Sequence, residues 1–215
     1  MIYELGKQNS ILNEFVAEMR DTEVQKDSLR FRRNLERVGE ICAYEISKKL
    51  EWVKKEIITP LGTSEMHVLK QQPVIATILR AGIPFHQGML NYFDKAENAF
   101  ISAYRKHHKD GMFDVQVEYL ACPDLNGKTL ILCDPMLATG VSIELVFKAM
   151  KRNGIPKHIH IASVIASAHG VEYVQKNMPN NISIWTCAVD EELTAQAYIV
   201  PGLGDAGDLA FGNKL

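Results

Sequence analysis

The sequence predicts an α/β protein with a mainly parallel sheet flanked by helices, and three observations lead there. Short continuous apolar runs, Val74–Leu79 and Thr129–Cys133 among them, suit strands covered on both faces. Other segments place apolar residues three and four apart, the period of a helix. The two kinds alternate along the chain, and alternating strands and helices build parallel sheets through crossover connections. The 215 residues are enough for one sizeable core. No internal repeat, low-complexity tract or linker divides them, so 1–215 is expected to form a single domain.

From Ser28 to Leu50 the positions Phe31, Leu35, Val38, Cys42 and Ile46 mark one long amphipathic helix. Val74–Leu79 reads as a buried strand that ends in a tight loop at Arg80-Ala81-Gly82, ahead of Pro84. Ala99–Tyr104 is a second strand, and the polar, basic stretch Arg105–Gly111 reads as an exposed excursion. Phe113, Val115, Val117 and Tyr119 alternate with polar residues, as in a half-exposed strand. Asn126-Gly127 marks a turn before the strand Thr129–Cys133. A Gly-containing loop then leads into a helix over Ser142–Arg152, stopped by Gly154 and Pro156. Ile159–Ile165 reads as a strand, Val171–Asn177 as a short helix and Ile182–Val189 as a further strand. Gly202, Gly204 and Gly207 crowd the tail Pro201–Asp208, which is therefore expected to be a shaped loop, neither helix nor strand.

The composition, 47% hydrophobic and 23% charged, is that of a globular chain. A net charge of -2 and a pI near 6.4 exclude general attraction to nucleic acid or an anionic membrane, so an anionic ligand needs a local site. No run approaches the ~20 apolar residues of a membrane span. Met1 leads into the polar Glu4–Asn9 rather than the core of a signal peptide, so a soluble, cytoplasmic protein is expected. Cys42, Cys122, Cys133 and Cys187 lie far apart, which argues for reduced, mostly buried thiols rather than disulfides or zinc. His158 and His160 alternate on a strand without a third ligand nearby and are read as solvent-facing or hydrogen-bonded structural residues. Glu191-Glu192 reads as a solvated acidic patch or a helix start, and Trp52 and Trp185 as core.

Chemistry concentrates in Leu132-Cys-Asp-Pro-Met-Leu-Ala-Thr-Gly-Val-Ser142. A buried strand, a turn with Gly140, hydroxyls at Thr139 and Ser142, and a helix start are the parts of a phosphate cradle, because unpaired N–H groups and a positive helix end favour an anion. Thr and Ser ahead of a helix also serve as simple N-caps, and this segment alone leaves both readings open. The wider pattern resembles the uracil phosphoribosyltransferases, of the type I phosphoribosyltransferase family. Asp134–Gly140 is similar to their phosphoribosyl pyrophosphate loop and Ile78-Leu-Arg-Ala-Gly82 to their pyrophosphate-side loop. Tyr104-Arg105 is similar to their mobile arm, and Tyr198–Asp208 to their uracil-binding tail. Phe31-Arg-Arg33 and Tyr44-Glu45 extend the likeness to the N-terminal helix.

This resemblance implies transfer of the 5-phosphoribosyl group of phosphoribosyl pyrophosphate to N1 of uracil, giving UMP and pyrophosphate. It implies a β-arm, mobile, around 105–120, and a C-terminal base-binding hood around 198–208. By the same likeness Asp134, Pro135, Met136, Leu137, Ala138, Thr139, Gly140, Val141 and Ser142 line phosphoribosyl pyrophosphate. The backbone from Ala138 to Ser142 would hold the 5′-phosphate, and Asp134 would orient the ribose hydroxyls. Arg80 and Arg105 would face the pyrophosphate, Arg105 folding over it. Ile199, Gly204, Asp205 and Ala206 would meet uracil, Asp205 also lying near phosphoribosyl pyrophosphate. Asp205 and Arg105 are the catalytic candidates, Asp205 for deprotonating uracil or holding a metal-bound water. Mg2+ is implied as cofactor, held through ligand oxygens and water because Pro135 stands where many phosphoribosyltransferases have a second acid. Ala138 removes their later acid, and Val141 replaces a second glycine, which would slightly reshape the anion nest. Family members are homodimers or larger assemblies, and GTP activates several, so a homodimer or homotetramer with a GTP activator is expected. The alternative is a regulatory or catalytically silent homologue that binds nucleotide or RNA. The near-neutral charge and the intact Arg80, Arg105, Asp134 and Asp205 argue against it. A hypoxanthine or orotate enzyme would lack the Gly-Leu-Gly-Asp-Ala-Gly-Asp tail.

Overall fold

The computed structural model describes residues 1–107 and 113–213, apart from the side chains at 104–107 and 113–116. In chain order the elements begin β1 (Ile2–Glu4), α1 (Ile11–Arg20), α2 (Ser28–Ser47), β2 (Trp52–Thr59), β3 (Gly62–Leu69), β4 (Val74–Leu79) and α3 (Gly82–Leu90). They continue β5 (Glu97–His107), β6 (Phe113–Ala121), β7 (Thr129–Cys133), β8 (Met136–Leu137), α4 (Val141–Met150), β9 (His158–Ala162), β10 (Ile165–Ser167) and α5 (Ala168–Asn177). The last are β11 (Ile182–Thr186), β12 (Ala188–Asp190), β13 (Glu192–Leu193), β14 (Ile199–Val200) and α6 (Ala206–Phe211).

The central sheet runs β1-β11-β9-β7-β4-β5-β6, with parallel neighbours except for the antiparallel β6. β7 and β11 are buried at every position, as parallel strands covered on both faces are. Alternate residues of β7 serve different cores. Leu130 and Leu132 join Ile143, Val146, Phe147 and Val174 of α4 and α5, whereas Ile131 and Cys133 join Phe31, Leu35, Phe85 and Met89 of α2 and α3. α2 starts where the Asp27 carboxylate accepts from the Leu29 and Arg30 N–H groups at 3.0 and 3.1 Å. Its close approach to α3 needs Gly39 and Gly88, since a Cβ on either would strike the backbone of the other helix. Among the described residues no helix is long and apolar enough to cross a membrane.

Several expectations are corrected. The segments read as single strands at 159–165 and 182–189 each divide between two sheets, because the chain leaves the central sheet at Ser163 and Cys187. β8, β10 and β12 form a separate three-stranded layer beyond its carboxyl edge. Ser163 N–H donates to Trp185 O at 2.8 Å and Cys187 N–H to Val164 O at 3.0 Å, so backbone pairing bridges the turn. The expected excursion at 105–111 begins as strand, β5 continuing to His107 opposite Phe113. The tip of the expected arm, 108–112, lies outside the described residues. A register shift puts Ser102 opposite Tyr119 and Ala103 opposite Val117, which breaks the alternation and leaves Tyr119 exposed. The tail is not loop throughout: Ala206–Phe211 is helical despite Gly207, because Asp205 caps it and Ala206 and Ala210 are buried.

Trp52 is not core but 47% exposed on the β2–β3 hairpin, its indole N–H donating to Ser47 O at 3.1 Å. Trp185 is buried, stacked on Tyr3 with ring centroids 4.0 Å apart. Its indole N–H donates to Nδ1 of buried His160 at 3.0 Å, and His158 pairs with Ser183 Oγ at 3.0 Å. Both histidines are thus hydrogen-bonded, and burial holds the His160 imidazole down to a pKa of about 3. Cys42, Cys133 and Cys187 are buried free thiols and Cys122 is partly buried. Glu191 and Glu192 are solvated, at a short strand rather than a helix start.

Candidate active site

From β4 the chain passes through α3 to β5 on one side, and from β7 through α4 to β9 on the other. The direction of sheet growth therefore reverses between β4 and β7. In open α/β sheets, ligand crevices form at such a point, beyond the carboxyl ends of the strands. The Arg80–Gly82 loop leaves β4 there and the Asp134–Gly140 loop leaves β7.

The Asp134 loop is held at nearly every residue. Asp134 N–H donates to Ala162 O at 3.0 Å, and its carboxylate accepts from Met136 N–H at 3.2 Å. Pro135 O accepts from the Val164 and Ile165 N–H groups at 3.0 and 3.1 Å, while Met136 and Leu137 pair with β10. The Ser167 hydroxyl donates to Ala138 O at 2.5 Å and accepts from Gly170 N–H at 2.8 Å, tying the loop to the start of α5. Thr139 Oγ1 accepts from Val141 N–H at 3.4 Å. Gly140 has φ +80, and a Cβ there would lie 2.9 Å from Tyr173 Cδ1 and 3.0 Å from Gly170 O. Glycine is thus required on grounds of conformation and space. Val141 opens α4, with Ser142 next to it in the first turn. Glu144 also lies in that turn, and its carboxyl is held below the usual range by Lys148 and Tyr173, whose hydroxyl donates at 2.7 Å. Its charge is therefore already matched within α4 and α5.

Arg80 follows β4 across a cis peptide bond. Its Nη2 donates to Asp208 Oδ1 at 3.0 Å and to Gly212 O at 3.1 Å, so the tail reaches back to this loop. Its Nε is buried without a hydrogen-bond partner, and so are the hydroxyls of Thr77 in β4 and Ser163 just beyond β9. Of these, Arg80 Nε belongs to the loop at the crevice, where a polar ligand would complete it.

In the tail, β14 pairs with β13 and buries Ile199. A cis Val200–Pro201 bond follows, then Gly202 and Gly204 at φ +60 and +89. The Asp205 carboxylate accepts from the Gly207 and Asp208 N–H groups at 2.8 and 3.0 Å, and Arg32 Nη1 donates to Ala210 O at 2.6 Å. Ala206 is buried beneath this cap.

Of the residues singled out from sequence, the fold brings the Arg80 loop and the 198–208 tail into contact and sets the Asp134–Ser142 loop on the strand beside Arg80. The Arg105 backbone sits in β5 opposite Val115, and its side chain lies outside the described residues. Sequence reasoning missed Asp208 as the partner of Arg80, 128 residues away, which no spacing in the sequence signals. It also missed Arg20 and Asp190, whose paired charges hold Gly202 and stand 170 residues apart. Among the described residues no three His, Cys, Asp or Glu come together as a metal site.

The family model described as Uracil phosphoribosyltransferase matches residues 7–213. A protein of Porphyromonas gingivalis named uracil phosphoribosyltransferase is 57% identical over 214 residues, covering 100% of this chain and 99% of its own. One of the same name from Methanothermobacter thermautotrophicus is 38% identical over 188 residues, 86% of this chain and 85% of its own. A solved structure of an Aquifex aeolicus protein superposes with a TM-score of 0.87 at 28% identity, covering 99% of this chain and 98% of that one.

Proposed function

The chain belongs to the uracil phosphoribosyltransferase family, and on that premise we propose the roles its residues take in joining uracil to phosphoribosyl pyrophosphate. The reaction is a pentosyl transfer. The bond from the anomeric carbon to the pyrophosphate oxygen breaks, a bond to uracil N1 forms, N1 gives up its proton, and UMP and pyrophosphate leave. The observation that carries the site assignment is the switch point, where the Arg80 loop and the Asp134–Ser142 loop leave adjacent parallel strands.

The backbone from Ala138 to Ser142 and the N-terminus of α4 take the 5′-phosphate, with the Thr139 and Ser142 hydroxyls as further donors. Asp134 accepts from the ribose hydroxyls, and Pro135, Met136, Leu137 and Val141 complete the walls. Arg80 offers paired donors to the pyrophosphate, and Arg105 approaches it from the β5–β6 edge. Neutralising that leaving group is the main demand of an oxocarbenium-like transition state. Uracil lies against Ile199, Gly204, Asp205 and Ala206, whose peptide groups match its acceptor-donor-acceptor edge. Cytosine would set an amino donor against a peptide N–H, and unpaired buried donors reject a ligand strongly. Asp205 assists removal of the N1 proton. Magnesium, on this reading, would be held through diphosphate oxygens and water and would help neutralise the leaving group, a reading supported by Pro135 standing where many phosphoribosyltransferases have a second acid. A cytoplasmic location, activation by GTP and assembly into a homodimer or homotetramer complete the proposal. Exposed Ile58, Leu61 and Met66 on the β2–β3 hairpin support assembly.

The test is UMP formation by the purified protein from uracil, phosphoribosyl pyrophosphate and magnesium, with cytosine, orotate and hypoxanthine in parallel and GTP added or omitted. Turnover with uracil alone is expected. Absence of turnover with every base would overturn the enzymatic reading in favour of a regulatory or silent protein.

A further inference from the structure

The geometry points to Arg20 and Asp190 as the pair that positions the uracil-reading tail, an inference that rests on the base site proposed above. Arg20 ends α1 and Asp190 ends β12, so both project from the ends of regular elements. Arg20 Nη1 donates to Asp190 Oδ2 and Nη2 to Oδ1, each at 2.8 Å, in a two-pronged pair. The same Nη1 donates to Gly202 O at 3.0 Å, and the same Oδ2 accepts from Gly202 N–H at 3.0 Å. One ion pair therefore holds both polar backbone groups of a single residue. The Asp190 side chain is 8% exposed and that of Arg20 23%, so the pair is largely withdrawn from water and its fork fixes direction as well as distance.

Gly202 is where the tail turns. Its φ is +60, and a Cβ there would strike Ile199 O, so the chain folds back on a residue of the base site just before Leu203 and Gly204. The segment between β14 and α6 belongs to no ladder or helix, and its peptide orientations follow from how its ends are held. Base selection depends on those orientations, since rotating a peptide exchanges a donor for an acceptor at the base edge. Gln25 adds to the same anchor. Its Nε2 donates to Met19 O and Arg20 O at 3.2 and 3.1 Å, closing the end of α1, and its Oε1 comes 3.8 Å from where a Cβ on Gly204 would stand. Arg20 and Asp190 act through Gly202 and are positioning residues for uracil.

Two conservative variants test this. Arg20→Lys keeps the charge but replaces the fork with a point donor, and Asp190→Asn keeps an oxygen for Gly202 N–H while giving up the ion pair. In each folded variant KM for uracil should rise about tenfold or more, with KM for phosphoribosyl pyrophosphate within about twofold, and the preference for uracil over cytosine should fall. A merely structural pair would lower the melting temperature and leave KM for uracil unchanged, or move both KM values together. Either result overturns the inference. In the unaltered protein the Gly202 amide should exchange slowly with deuterium before any ligand is added, and fast exchange overturns it even if neither variant folds. Failure of the underlying base-site reading would look different: the unaltered protein would not turn over uracil, or Gly204→Ala would leave KM for uracil untouched.

Discussion

Arg80 is engaged by Asp208 before any substrate arrives, and both side chains are about one-third exposed. On the proposed reading the diphosphate must displace that carboxylate. Pairs this open are worth about 0–1 kcal/mol, so Asp208→Asn should lower KM for phosphoribosyl pyrophosphate by about two- to fivefold. A rise in that KM would show that Asp208 helps rather than competes. Asp205 needs a finer separation, because its carboxylate also caps α6. Asp205→Ala should remove about 1 kcal/mol of capping and cut uracil turnover by orders of magnitude, whereas Asp205→Asn should restore most of the stability and little of the turnover. Near-normal kinetics in the folded Ala variant would remove Asp205 from the chemistry. Both acids were in plain view in the sequence. What the sequence did not disclose was the division of labour between them, since a cap and an ion pair depend on how the chain turns at Gly202 and Gly204.

The Asp134–Ser142 loop owes its shape to partners in other elements. Gly140 must be glycine because α5 presses against it through Gly170, Tyr173 and Val174. Gly140→Ala should therefore weaken phosphoribosyl pyrophosphate binding about tenfold or more, through displacement of α4 rather than loss of a contact. Unchanged affinity by calorimetry would detach this turn from the phosphate site. The strands β4 and β7 and the helix α2 were legible because burial on two faces and a regular 3.6-residue stripe leave clear patterns. The divisions at Ser163 and Cys187 were not, since apolar residues continue through both while the chain changes sheets. α6 escaped for the opposite reason: its glycines argue against a helix, and the Asp205 cap with the burial of Ala206 and Ala210 overrides that propensity. Trp52 departs from the core placement its size suggests because a two-stranded hairpin has little to bury it against.

Across the whole molecule, burial lowers the pKa of His86, His158 and His160, the last to about 3. These groups protonate more readily in the unfolded chain, so stability should fall as pH drops below the unfolded value of about 6.5. For His160 the loss continues toward pH 3, at up to about 1.4 kcal/mol per pH unit. Urea midpoints at pH 7 and 5 should differ accordingly, with a smaller difference in His160→Gln, which keeps an acceptor for the Trp185 indole. An equal difference in that variant would remove His160 from the acid response. The fold class was legible at this scale from the alternation of strands and helices. The joining of distant segments was not, because no periodicity links Arg20 to Asp190 or Arg80 to Asp208. That joining governs timing during synthesis. Residue 20 emerges from the ribosome early and can be paired only after residues 190 and 202 have followed it. The turn at Gly202 is thus among the last parts of the molecule to be fixed.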